Sequence, residues 1–131
     1  METNGKKIRV LAVDDSKTML AMMSAYLKGG DFELVATASS GAEALQKYQE
    51  HKPQLVLLDV VMPEITGVEI LEKIISADSE ACVVMVSSLG TENTVQDCLK
   101  KGAKSFVQKP IKKDGMLATL KTVCQEAGVA L

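Results

Sequence analysis

Four apolar runs in this chain each end on residues able to do chemistry. IRVLAV (8–13) leads into Asp14 and Asp15, and LVLL (55–58) into Asp59. CVVMV (82–86) leads into Ser87 and Ser88, and SFVQ (105–108) into Lys109 and Pro110. Asp59 is the sharpest case, because it lies within PQLVLLDVVMP, where ionising a carboxylate sacrifices hydration. Clustered carboxylates repel one another and require a cation. An all-oxygen set with few protein ligands suits Mg2+, which keeps several waters and also binds phosphate oxygens. A lysine and a hydroxyl opposite would complement a phosphoryl group, one as a point charge and the other as a hydrogen-bond donor. Carboxylates form aspartyl-phosphate intermediates, so Asp59 is the candidate nucleophile. No GxxxxGK[ST] loop is present, and no GxGxxG follows the first run, so side chains and metal would have to hold the phosphoryl group. Each residue alone also reads as a cap or turn residue, Ser16 or Asp15 for the first helix in particular. Four such placements together are harder to explain by capping.

Bringing the four ends together requires a parallel sheet, in which the C-terminal ends of the strands share one edge. The apolar, β-branched runs at Ile8–Val13, 34–38, 55–58, 82–86 and 105–107 predict five strands. Four are nearly continuous apolar runs, as expected of strands buried on both faces. The run at 34–38, with the less apolar lead-in DFE, reads as an edge. Helical spacing links Met19, Met22, Met23, Tyr26 and Leu27, with Gly29-Gly30 as a stop. It recurs at Ser40, Ala44, Leu45 and Tyr48 before Pro53, and at Val68, Leu71, Ile74 and Ile75. Val95, Cys98 and Leu99 give a fourth helix closing at Gly102, and Leu117, Leu120, Cys124 and Ala127 a fifth. The methionines of the first helix read as core packing rather than as a binding groove. The expected fold is a doubly wound α/β sandwich, five parallel strands between five helices.

Composition agrees with one globular domain: 131 residues, 47% hydrophobic and 24% charged, with no linker, repeat or low-complexity stretch. No apolar span is long enough for a transmembrane helix, and METNGKKIRV lacks the apolar core of a secretory signal. Cys82, Cys98 and Cys124 lack metal-type spacing and read as buried thiols in a reducing compartment, which places the chain in the cytoplasm. The net charge of −2 is unevenly spread: residues 51–94 hold seven acids and two lysines, residues 95–131 three acids and seven lysines. Two faces with different partners, or simply a solvated lysine face, would both account for this. No recognition motif accompanies the lysines, so no nucleic-acid role is expected, and His51 reads as a surface residue.

VDDS at 13–16, LLDVVMPEITG at 57–67, VSS at 86–88 and FVQKP at 106–110 together resemble the receiver domain of two-component response regulators. The resemblance spans essentially the whole chain, with a domain core at about 7–127, and is nearest to the stand-alone chemotaxis-type (CheY-like) receiver. It implies a flavodoxin-like sheet of order 2-1-3-4-5. It implies that Asp59 accepts a phosphoryl group from a phosphohistidine on a sensor kinase or phosphotransfer protein. Asp15, Asp59 and the Val61 backbone carbonyl would ligate Mg2+, with Asp14 holding a metal-bound water. Lys109 would pair with Asp59 at rest, and its peptide bond to Pro110 would be cis. Ser87 would be the switch hydroxyl and Phe106 the aromatic that follows it inward. Phenylalanine replaces the tyrosine often found there, so the packing half of the switch survives and the hydroxyl half does not. Ser88 is small enough for phosphoryl access, Gly67 permits the turn after the acceptor loop, and Pro63 shapes that loop. Val61 and Leu89, two residues after Asp59 and Ser87, are apolar where polar residues can position attacking water. Slow self-dephosphorylation is therefore expected unless a phosphatase acts.

The resemblance also implies an output surface on the fourth helix, fifth strand and fifth helix. Here it carries Lys100, Lys101, Lys104, Lys112 and Lys113, which would suit an acidic protein partner such as a component of the motility machinery. A monomer is expected, with a phosphorylation-dependent dimer as the alternative. A phosphorelay intermediate would use the same chemistry, and VVMVSSLGTEN also resembles the receiver of chemotaxis methylesterases. The ending EAGVAL, after a full fifth helix and without a linker, weighs against an excised domain. A haloacid-dehalogenase-type phosphatase would need an Asp where Val61 stands, and room for a cap domain. A flavodoxin would need a Ser/Thr phosphate loop where Asp14-Asp15 stand. Both rank below the receiver.

Overall fold

The computed structural model describes residues 7–62, 65–88 and 90–129. Strands and helices alternate: β1 (Ile8–Val13), α1 (Lys17–Leu27), β2 (Phe32–Ala38), α2 (Gly41–His51), β3 (Leu55–Asp59), α3 (Gly67–Ala77), β4 (Val83–Ser87), α4 (Glu92–Lys100), β5 (Ser105–Gln108) and α5 (Lys113–Ala127). The strands form one sheet of order β2-β1-β3-β4-β5, and every pairing is parallel.

Alternation along each strand sorts side chains to the two faces. Val10, Ala12, Leu55, Leu57, Val84 and Val86 point to one face, where Met23 and Leu27 of α1 and Met116, Leu120 and Val123 of α5 cover them. Leu11, Val13, Val56, Leu58, Val83 and Met85 point to the other, beneath Ala44 of α2, Ile70 and Ile74 of α3, and Val95 and Cys98 of α4. β3 and β4 are buried along their whole length, which is why their sequences are continuous apolar runs rather than alternating ones.

Local chemistry starts the first three helices. The Ser16 hydroxyl accepts from the Met19 N–H and the Ser40 hydroxyl from the Glu43 N–H. At α3, Thr66 and Glu69 form a reciprocal capping box. Ser16, rather than Asp15, caps α1, which leaves the Asp15 carboxylate free for other work.

The structure corrects several expected boundaries. β2 begins at Phe32, not 34, since the Phe32 ring is buried, while Asp31 and Glu33 on either side of it face solvent. Cys82 precedes β4, which instead runs on to include Ser87, and β3 includes Asp59. β5 is an edge strand with only Val107 buried, not a strand covered on both faces. α1 ends at Leu27, capped by Lys28 in an extended conformation before the Gly29-Gly30 pair is reached. All three cysteines are buried, and burial raises each thiol pKa, that of Cys124 to about 11, so none is primed as a nucleophile.

Candidate functional site

The sheet brings Asp14, Asp15, Asp59, Ser87 and Lys109 to one edge. Asp14 and Asp15 directly follow β1, Asp59 and Ser87 close β3 and β4, and Lys109 follows β5. Asp59 pairs in register with Val86, the residue before Ser87, and the Ser87 carbonyl accepts the Lys109 N–H at 2.7 Å. The three carboxylates each offer an oxygen, and these oxygens all lie within 4.8 Å of one another. Asp14 and Asp59 are buried, whereas Asp15 is exposed.

Each buried carboxylate has one oxygen held by backbone and one turned toward the lysine. Asp14 Oδ1 accepts the Ser16 N–H at 2.9 Å, and Asp59 Oδ1 accepts the Val61 N–H at 3.2 Å. Lys109 Nζ lies 3.3 Å from Asp14 Oδ2 and 3.4 Å from Asp59 Oδ2. It donates a hydrogen bond to Asp59, while Asp14 Oδ2 stays near the ammonium charge but without a hydrogen-bond partner among the described residues. The expected Lys109–Asp59 pair is thus one of two contacts that the lysine makes, and the contact with Asp14 is the one the sequence did not lead us to expect.

One cation facing two buried carboxylates leaves the cluster short of positive charge. Burial pushes the Asp59 carboxyl up to about 6, from 3.8, and the Asp14 charge pushes the same way. Lys109 and the Val61 N–H oppose this without cancelling it. A small divalent cation fits this donor set: hard oxygen ligands, an orphaned buried oxygen on Asp14, and an exposed carboxylate on Asp15 at the mouth.

Of the remaining candidates, Ser87 is buried at the edge beside Asp59, and Ser88 is half-buried. Val61 and Phe106 are exposed, at 56% and 42%, unusual for large apolar side chains. The Lys109–Pro110 peptide bond is cis. Pro63 and Leu89 lie outside the described residues. Lys100, Lys101, Lys104, Lys112 and Lys113 are all exposed on and around α4, β5 and α5, and Lys101 bonds Glu72 of α3 at 3.0 Å.

The loop carrying Val61 is closed by the Gly67 N–H, which donates to the Val60 carbonyl at 3.1 Å. A Cβ on Gly67 would overlap the Asp59 carbonyl oxygen and come within 2.9 Å of Val60 backbone atoms. These are backbone atoms and cannot turn aside, so strain outweighs the better helix propensity of alanine. Gly67→Ala is expected to lower stability by about 2–3 kcal/mol in urea unfolding.

Comparison with known proteins agrees with this geometry. The family model "Response regulator receiver domain" matches residues 10–121. The chain is 44% identical over 113 residues to "Chemotaxis protein CheY" of Listeria monocytogenes, covering 86% of this chain and 95% of that one. It is 40% identical over 112 residues to "Chemotaxis protein CheY" of Bacillus subtilis, covering 86% and 93%. Among solved structures, the "CheX-CheY-BeF3-Mg+2 complex from Borrelia burgdorferi" superposes with a TM-score of 0.86 at 37% identity, covering 91% of this chain and 90% of that one. Four strand ends, an aspartate cluster bridged by a lysine, and relatives matched over most of their length lead to one assignment: the chain belongs to the response regulator receiver domain family.

Proposed function

We propose that the protein is a phosphorylation-activated switch of a two-component system, one receiver unit with its core at about 7–127, in which Asp59 accepts the phosphoryl group. The observation that carries this reading is the Asp14–Lys109–Asp59 cluster, with Asp15 beside it at the open edge of the sheet. The donor would be a phosphohistidine on a sensor kinase or phosphotransfer protein. An Asp59 carboxylate oxygen attacks phosphorus, the O–P bond forms as the N–P bond breaks, and the imidazole keeps the electron pair and takes up a proton.

Asp15, Asp59 and the Val61 carbonyl would hold Mg2+, with Asp14 acting through a water. When bound, Mg2+ neutralises charge on the phosphoryl oxygens. Lys109 supplies the protein's own share of that neutralisation, since its ammonium already lies at the Asp59 carboxylate. The transfer leaves a doubly charged group in place of a singly charged one. Ser87, buried next to Asp59, would turn its hydroxyl to the new oxygens, and Phe106, now exposed, would follow into the space vacated. The α4–β5–α5 surface would change in consequence and meet an acidic protein partner through its lysines.

The names of the relatives suggest that the partner belongs to a chemotaxis or motility apparatus in the cytoplasm. In the Borrelia complex the CheY relative is bound to a second protein, CheX, and a phosphatase would be a further class of partner for this chain. No helix among the described residues is long and apolar enough to cross a membrane. The protein would act on no external substrate, catalysing only its own phosphorylation and dephosphorylation.

The test is intact mass after incubation with acetyl phosphate and Mg2+. A gain of one phosphoryl group, absent without Mg2+, supports the reading. No adduct, and no binding of beryllofluoride, would refute it. The exposed isopropyl group of Val61 at the site mouth cannot position an attacking water. The adduct on the isolated protein should therefore outlast seconds by far, and decay within seconds would contradict this.

A further inference from the structure

The segment after Asp59 is fixed at both ends by backbone bonds: Val60 N–H donates to the Val86 carbonyl at 3.0 Å, and Gly67 N–H returns to the Val60 carbonyl. Between these ends lies Ile65, which leans on the start of α2. Its Cγ2 packs directly on Gly41, the first residue of α2, so closely that a Cβ on Gly41 would overlap that methyl and come within 3.3 Å of the Ile65 Cβ. Gly41 is buried, is helical and has no positive φ, so neither exposure nor backbone conformation explains a glycine there. What explains it is the approach of Ile65. Met62 and Val60 are buried in the same apolar cluster, and Val61 between them is turned outward, with its N–H on Asp59 Oδ1.

We infer that the Ile65–Gly41 contact is a latch that sets the height of the acceptor segment over α2, making both residues positioning residues for the Val61 backbone at the carboxylate cluster. The first turn of α2 is a hard surface, held by the Ser40 cap and the Ala44 N–H bond to the Ser40 carbonyl at 2.9 Å. Filling the notch at Gly41 would lift Ile65, and Val61 lies on the same segment, between its two backbone-bonded ends. The Val61 N–H bond to Asp59 at 3.2 Å is already long and would be among the first to lengthen. Where the inference concerns metal binding it rests on the Mg2+ reading above, since the Val61 carbonyl is one of the ligands assigned there. Groups that orient ligands typically change metal affinity about 10–100-fold when altered.

The variant Gly41→Ala tests this, with two readouts on the intact protein. In the metal-free protein, the Val61 amide resonance should shift toward that of an N–H without its carboxylate partner. By calorimetry, the Mg2+ dissociation constant should rise about tenfold. Adding Ile65→Leu, which moves the branch off Cβ and removes the offending methyl, should recover most of both effects. A purely structural glycine would lower the melting temperature and leave both readouts in place. An unmoved Val61 amide together with wild-type Mg2+ affinity overturns the latch. If Gly41→Ala does not fold, Ile65→Ala removes the same contact without any clash and should displace the same amide. If wild type itself binds no Mg2+, the metal reading fails, and the latch stands or falls on the amide shift and its rescue alone.

Discussion

Asp59→Asn is expected to abolish phosphoryl uptake and, in metal-free buffer at pH 7.5, to make the protein more stable. The two effects share one cause. The Asp59 carboxyl is raised to about 6 in the folded protein, from 3.8, by burial and by Asp14. Between those values the folded state binds more protons than the unfolded state, so stability falls as pH rises through this window. Above about pH 6 the full penalty of holding the ionised group is present. The shift places an upper bound of about 3 kcal/mol on that penalty, and coupling to Asp14 and Lys109 reduces it to about 1–3 kcal/mol. An asparagine oxygen can keep the Val61 N–H bond, and its amide can donate to Asp14 Oδ2, which has no hydrogen-bond partner among the described residues. Urea unfolding with a chelator present should show the gain at pH 7.5 and little of it at pH 4.5. Millimolar Mg2+ should stabilise wild type more than the variant, because binding only the folded state shifts the equilibrium. A variant less stable than wild type at pH 7.5 would contradict this account.

Lys109→Met is expected to act in the opposite direction. Methionine keeps the apolar stem and removes only the charge. Asp14 Oδ2 and Asp59 Oδ2, at 3.3 and 3.4 Å from Nζ, would then face each other without a cation. Removing one partner of a buried ion pair commonly costs about 3–5 kcal/mol. Lys109 retains 24% side-chain exposure, so water relieves part of this, and a loss of about 2–3 kcal/mol is expected without metal. Phosphoryl uptake from acetyl phosphate should slow by about 100–1,000-fold, the usual range for one electrostatic stabiliser. The double variant with Asp59→Asn discriminates the mechanism. With only one carboxylate left, the lysine is needed less, and the loss from Lys109→Met should be about 1–2 kcal/mol smaller in the Asp59→Asn background than in wild type. Strict additivity would show that Lys109 stabilises through something other than the carboxylates.

The central strands were legible in the sequence because burial on both faces allows no polar residue within them. The site was legible for a related reason. A polar residue that ends an unbroken apolar run must lie where the sheet stops, and in a parallel sheet all such ends share an edge. Legibility failed at the margins. Phe32 was lost in DFE because an edge strand buries single residues rather than runs, and SFVQ looked apolar although Phe106 faces outward. The shared lysine was only half seen, since Asp14 and Asp15 are adjacent and nothing in VDDS says which one turns to Lys109. Gly41 gave no signal at all: its reason lies twenty-four residues away in Ile65.

The order β2-β1-β3-β4-β5 also bears on when the chain becomes competent. Asp14 arrives on the second strand of the sheet, Asp59 on the middle one, and Lys109 just beyond the far edge. Their contacts span 95 residues from Asp14 to Lys109 and 50 from Asp59 to Lys109, and close only when loops of that length have been ordered. During synthesis Asp14 and Asp59 are both made before Lys109, the cation that faces them in the folded protein. On the reading proposed above, chemical competence would coincide with the end of folding, because an incompletely folded copy would lack the Lys109 side of the cluster.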